Sequence, residues 1–177
     1  MTASVFFTPE VSAKALLKIY QSLGVAQAAP VAVKISTGEP GGHNYLQPTL
    51  IADLVHELGA TIVECNTAYG GRRQETADHW QAIKEHGFLD VAPVDILDEE
   101  GEKHIPVSGG KHLTHDIIGS HFDRYESFVN LAHFKGHQMG GFGGVLKNQS
   151  IGFASTAGKA LIHSAGSMTD AAAVWSN

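Results

Sequence analysis

Cysteine is nearly absent: Cys65 stands alone in 177 residues. A single thiol excludes an internal disulfide and any iron–sulfur or zinc site built only on cysteines of this chain. Long apolar runs are missing as well, none approaching the roughly 20 residues that a membrane-spanning helix needs. The opening stretch MTASVFFTPEVSAKALL lacks a basic segment followed by an apolar one, so no secretory leader is read there and a cytoplasmic, reducing setting is expected. Positive charge is scarce too, with 12 Lys and Arg against 18 Asp and Glu and a formal charge of −6. That balance argues against a nucleic acid or a membrane surface as partner, and any basic site has to be local.

Glycine and histidine are plentiful, with 20 and 11 copies. The histidines are scattered, so they belong to the protein and not to a tag. At 43% hydrophobic and 17% charged, the rest is ordinary for a globular chain, long enough for one domain with a sizeable core.

Strand and helix patterns alternate through the first half. SVFFT (4–8) is rich in β-formers, and EVSAKALLKIYQSLG then places apolar residues at helical spacing, with Gly24 as a stop. PVAVKIS (30–36) and ATIVECN (60–66) are nearly continuous apolar runs, the pattern of strands covered on both faces. Between them PTLIADLVHELG reads as a helix opened by Pro48 and closed by Gly59, and a third helix is expected near QETADHWQAIKEHGF. ESFVNLA (126–132) returns as a core strand, with a helix expected from about Gly144 to Ser150. The expected fold is α/β: a mainly parallel, Rossmann-like sheet with helices on both faces and a small β-hairpin excursion around 94–107. Residues 1–165 are read as one domain. Residues 166–177 are read as the start of a helix capped by Asp170 or Ser167, in a chain cut from something longer.

In a parallel sheet ligands bind beyond the carboxyl ends of the strands. Three polar loops are expected there: KISTGEPGGHN, ECNTAYGGRR and HFKGHQMGGFGGVLKN. His133 and His137 lie four apart and can chelate a divalent metal, with His43, Glu39, Glu64 or His79 completing the set. The bland alternative is that each imidazole bonds loop backbone, and no HExxH pattern supplies a general base. In GGFGGVLKN, Gly140, Gly141, Gly143 and Gly144 precede a helix, so exposed N–H groups and the helix dipole favour an anion. Lys34, Arg72, Arg73, Lys135 and Lys147 are expected to neutralise it; the alternative is close packing of helix on sheet. An anion stands slightly ahead of a metal. Two motif-like stretches fail. Leu146 replaces the third glycine of a dinucleotide fingerprint, and GFASTAGKA (152–160) has the wrong glycine spacing and Ala160 where a phosphate loop needs Ser or Thr. Cys65 reads as a small buried residue before a nucleophile.

KISTGEPGGHNYLQP, CNTAYGGRR, ADHW with HGF, and above all VNLAHFKGHQMGGFGGVLKNQSIGFASTAGKALIHS resemble the family catalogued as domain of unknown function 362, from about Val31 to Ser164. The matching positions are Lys34, Gly38, Glu39, Asn66, Thr67, Tyr69, Arg72, His133, Lys135, Gly136, His137, Gly140, Gly141, Gly143, Gly144, Lys147 and Asn148. The resemblance implies that these form one site and names no reaction. Many members look like proteins with an appended ferredoxin-type segment carrying two four-cysteine clusters, which implies an electron-transfer partner. This chain, with Cys65 alone, departs from that pattern.

Three functions follow as expectations. The first is a redox-linked or metal-assisted enzyme on a small anionic molecule, with His133, His137 and Lys135 as catalytic candidates. The second is a non-catalytic carrier of a metal or phosphorylated ligand. The third is a scaffold for a ferredoxin-like protein. A homo-oligomer is compatible with each.

Overall fold

The computed structural model describes residues 2–138 and 140–175. In chain order the elements are α1 (Ala13–Gln21), β1 (Val31–Lys34), α2 (Pro48–Leu58), β2 (Thr61–Glu64), α3 (Thr76–Glu85), β3 (Val94–Ile96), β4 (Glu102–Pro106), β5 (His115–Gly119), β6 (Ser127–Asn130), β7 (Lys135–His137), β8 (Gly141–Gly143), α4 (Val145–Phe153), α5 (Thr156–His163) and α6 (Ala171–Trp175). Four of the strands form a parallel sheet in the order β3-β2-β1-β6. The α/β architecture expected from the alternating pattern is therefore present.

Strand periodicity explains why the apolar runs are continuous. Successive side chains point to opposite faces. Val31, Val33 and Ile35 join Ile62, Ile51 and Val55 of α2 and Ile83 of α3 on one side. Ala32, Val63, Cys65 and Leu97 join Phe153 of α4 on the other. Ile51, Leu54 and Val55 are essentially inaccessible, each contributing about 2 kcal/mol by leaving water. α2 begins with Pro48 at its first turn and ends at Gly59, whose φ of 54° is the left-handed conformation that favours glycine at a helix end.

The topology decides where a ligand can enter. The chain steps from β1 through α2 to β2 and through α3 to β3, always in the same direction across the sheet. Right-handed crossovers then put both helices on one face. It returns to the far side of β1 as β6, whose continuation runs through the β7–β8 hairpin into α4 on the opposite face. The connections leaving β1 and β6 diverge, and such a reversal opens a crevice beyond the carboxyl ends of the two strands.

Several local expectations change. Residues 4–8 form no strand: Val5 and Phe7 are 88% and 86% exposed. β-propensity alone does not hold a strand that has no ladder partner, and this segment borders a wide apolar groove lined also by Leu16, Leu50 and Leu131. The hairpin excursion pairs β4 with β5, while Val94–Ile96, at the start of the stretch expected to hold it, is the third parallel strand. Asp170 caps α6, its Oδ1 accepting from the Ala172 and Ala173 N–H groups; the last two residues of the expected terminal helix lie outside the described ones.

α5 docks on β5 at contact distance. Ser155 N donates to Ile117 O at 2.9 Å, and a Cβ on Gly158 would lie 1.9 Å from that same oxygen. Gly158→Ala is expected to lower stability by about 1–3 kcal/mol, the usual range for overpacking. The check is a lower urea midpoint with an unchanged slope.

Candidate functional site

The crevice holds a cavity of about 200 Å³, room for about seven waters at ~30 Å³ each. β1 contributes Lys34 and, just beyond it, Ser36; β2 contributes Glu64, followed by Cys65 and Thr67; His133 follows β6. The β7–β8 hairpin adds Lys135, His137 and Gly143, α4 adds Gly144 at its cap with Lys147 and Asn148, and α5 adds Lys159 and His163. Loops from β1, β2 and β6 therefore converge on one rim.

Lys34 is the deepest of these cations, at 1% exposure. The alternation that buries Ala32 against α4 points Lys34 the same way, its Nζ 5.9 Å from the Phe153 ring centroid. The amine donates to Ile35 O at 2.6 Å and to Asn148 Oδ1 at 3.0 Å. Both partners are neutral, and among the described residues no carboxylate lies within 4.0 Å of it. Burial, only partly offset by the more distant Glu64, pushes its pKa down to about 8. Gly152 makes room for this side chain: a Cβ there would come within 2.8 Å of Nζ.

The single cavity carboxylate is already matched. Glu64 accepts from Arg73 NH1 at 3.1 Å, from Thr37 N at 2.8 Å and from Thr37 Oγ1 at 2.5 Å. Burial opposes its charge, yet Arg73, His79 and Lys34 together hold its carboxyl well below the usual range. Arg73 also reaches Glu39, whose Oε1 accepts from Tyr69 OH at 2.6 Å. The remaining cations crowd one another. Lys147 is depressed by burial, then by Lys135 and Lys159. His137 is lowered by desolvation, then by Lys147 and Lys135, and its Nδ1 accepts from Gly140 N at 3.1 Å. Burial, then Lys147, His137 and Lys159, lower His163.

Of the residues singled out from sequence, Lys34, His133, Lys135, His137, Gly143, Gly144 and Lys147 line the cavity. Gly140 and Gly141 sit at the exposed hairpin turn instead. Arg72 is a correction: it is exposed and forms a two-point pair with Glu85 at 3.1 and 3.2 Å, and the guanidinium facing the cavity is that of Arg73. His43 and Glu39 are not brought to His133 and His137 as one donor set, since His43 is exposed and Glu39 is engaged by Arg73 and Tyr69. Cys65 donates to Phe153 O and is pushed up to about 12 by burial, which leaves it a thiol. Lys159 was passed over with the failed phosphate-loop match. It is buried, its Nζ donates to Ala154 O, and it faces the cavity from the first turn of α5. No local sequence signal marks it, because α5 reaches the cavity by docking on β5.

Among the described residues one group of three has possible metal donors near one another: Asp95, Glu99 and His121. It shares no residue with the cavity. Asp95 already accepts from His121 Nδ1 at 2.7 Å and from Tyr125 OH at 2.8 Å, and Glu99 accepts from Trp80 Nε1 at 2.7 Å. The Arg124 guanidinium, 3.0 Å from His121 Nδ1, supplies positive charge where a metal would.

The Lys34 proton makes stability depend on pH. Unfolded, the group titrates near 10.5; folded, near 8, so between those values the unfolded chain binds more protons and stability rises with pH. The wild type is expected to gain on the order of 3 kcal/mol across that window relative to Lys34→Met, which lacks the group. Urea unfolding of both proteins from pH 7.5 to 10.5 (roughly the two pKa values) checks it, and parallel curves would contradict it.

Comparison with known proteins gives one match. The family model described as "Domain of unknown function (DUF362)" covers residues 31–175, from β1 to the last helix. No curated protein and no solved structure matches the chain.

Proposed function

Because the chain belongs to the DUF362 family, a membership that fixes no reaction, we propose its function from the cavity itself: it binds a small anion through a phosphate or carboxylate group. One observation carries this reading. Lys34, Arg73, Lys135, Lys147 and Lys159 line the cavity against the single carboxylate Glu64, five cations to one anion in a chain of net charge −6. Clustered, partly desolvated like charges are unfavourable in the empty protein. An anion among them removes the repulsion, and hydrogen bonds between charged partners are the strong ones.

The α4 amino end supports the same ligand. Gly144 caps α4 with no side-chain bond to its first turn, so backbone N–H groups and the positive end of the helix dipole remain for an anion. A divalent metal at His133 and His137 is the weaker reading, since it would enter against the potential of four lysines left in excess once Arg73 is paired with Glu64 and Glu39.

Titration calorimetry with inorganic phosphate and with oxalate tests the proposal. Lys147→Ala and Lys135→Ala are each expected to weaken binding about tenfold, the loss of roughly 1.4 kcal/mol. Arg72→Ala should leave it unchanged, because Arg72 is paired with Glu85 outside the cavity. Absence of binding by either anion would overturn the reading.

Affinity also carries a pH signature. The protonated amine of Lys34 attracts the anion and the neutral amine does not, so affinity is expected to fall as pH rises through about 8. The same titrations at higher pH read this, and affinity that rises through that range would contradict it.

A further inference from the structure

We propose that Lys34 is a nucleophile that forms a Schiff base with a small oxo acid, the carbonyl carbon meeting Nζ while the acid group is held by Lys135, Lys147 and the amino end of α4. The inference rests on the anion-binding reading and adds the chemistry that Lys34 performs there.

Geometry carries it. Lysine is almost never fully buried without a charged partner, yet Lys34 has two neutral acceptors, Ile35 O and Asn148 Oδ1. A neutral amine has two N–H groups to donate and one lone pair to keep. The two acceptors take both N–H groups, so the lone pair remains, on a residue that lines the cavity. Gly152 lies against the amine with no Cβ, which would otherwise stand 2.8 Å from Nζ. Desolvation and neighbouring cations, here Lys159 and Arg73, are the means by which a lysine is kept in its amine form.

The step balances without an oxidant or reductant. The Nζ lone pair attacks the carbonyl carbon, a C–N bond forms and the C=O π electrons move to oxygen. His133 lines the same cavity, and its Nδ1 is buried without a hydrogen-bond partner among the described residues; it takes the proton that the ammonium gives up in becoming the amine. The proton on the new C–N nitrogen passes to the alkoxide, giving a hydroxyl, and His133 returns its proton to that hydroxyl. The nitrogen lone pair then forms the C=N bond as the C–O bond breaks, and water leaves. Overall an ammonium and a carbonyl give an iminium and a water.

Reductive trapping tests this on the whole chain. The protein is incubated at pH 8 with glyoxylate or pyruvate, reduced with borohydride and mapped by peptide mass spectrometry. Near that pH about half of Lys34 is amine, against roughly one part in 250 for an exposed lysine. Labelling of Lys34 on the order of tenfold or more above the exposed Lys14, Lys84 and Lys111 is therefore expected, with suppression by phosphate and loss in Lys34→Arg. Mapping the wild type keeps the test informative even if that variant fails to fold. Adducts confined to other lysines, or none at all, overturn the proposal, and phosphate binding in the same samples would leave the anion reading standing. An adduct on Lys34 that phosphate does not suppress, with no phosphate binding by calorimetry, supports the amine chemistry and overturns the anion reading instead.

Discussion

The side chain of Asn148 reaches from α4 to the ends of both strands at the point where the sheet order reverses. Its Nδ2 donates to Asn130 Oδ1 at 2.7 Å and to Lys34 O at 3.3 Å, while its Oδ1 accepts from the Lys34 amine at 3.0 Å. Lys34 and Asn130 are register partners in adjacent parallel strands. One amide thus closes the floor of the crevice, orients the buried amine and anchors the helix whose amino end faces the cavity. Without it, Asn130 Oδ1 would lose this donor and the Lys34 amine one of its two acceptors, while Lys34 O would keep the Leu131 N–H at 2.9 Å; a buried polar group left unpaired costs about 1–3 kcal/mol.

A second constraint keeps the cavity positive. Glu64 could have neutralised Lys34, but Arg73 and Thr37 occupy both of its oxygens. Arg73 is in turn shared with Glu39 on the glycine-rich loop after β1. Acidic groups and one arginine balance each other at one wall, and the four lysines on the other walls are left in excess. The arrangement has a structural use too. Gly38, at φ 85° with Tyr45 packed against it, lets the loop fold back so that Glu39 meets Arg73, and Tyr45 stacks on His86 at 4.2 Å.

What was legible in the sequence is what periodicity controls. Apolar runs mark where β1, β2 and β6 end, so the residues at or just beyond those ends, Lys34 and His133 among them, are expected together from the sequence. Direction within an irregular turn was not legible. Arg72 and Arg73 are neighbours in one 3-10 turn, Arg72–Gln74, and only tertiary packing decides which one turns inward. The glycine run was read as a cradle leading into a helix. It is first a hairpin, whose register of Lys135 on Gly143 and His137 on Gly141 turns two of the glycines out to solvent. Lys159 was hidden for another reason: its helix approaches the cavity by way of β5, a contact distant in sequence that no local pattern announces. Residues 4–8 show the converse, a local preference with no partner to satisfy it.

The energetics of Lys34 tie the cavity to the fold. Holding this amine in a buried site costs on the order of 3 kcal/mol at neutral pH, judged from its fall to about 8. A ligand present at a hundred times its dissociation constant stabilises the state that binds it by about 2.7 kcal/mol. The two magnitudes are comparable, so the proposed anion, at ordinary saturation, would offset the burial of the charge. Core packing alone would favour an apolar side chain at this position, on a strand whose other residues are Val31, Ala32 and Val33. The buried amine is matched by two further residue choices, the amide of Asn148 that orients it and Gly152 that makes room for it, and the proposed anion would offset the burial of its charge.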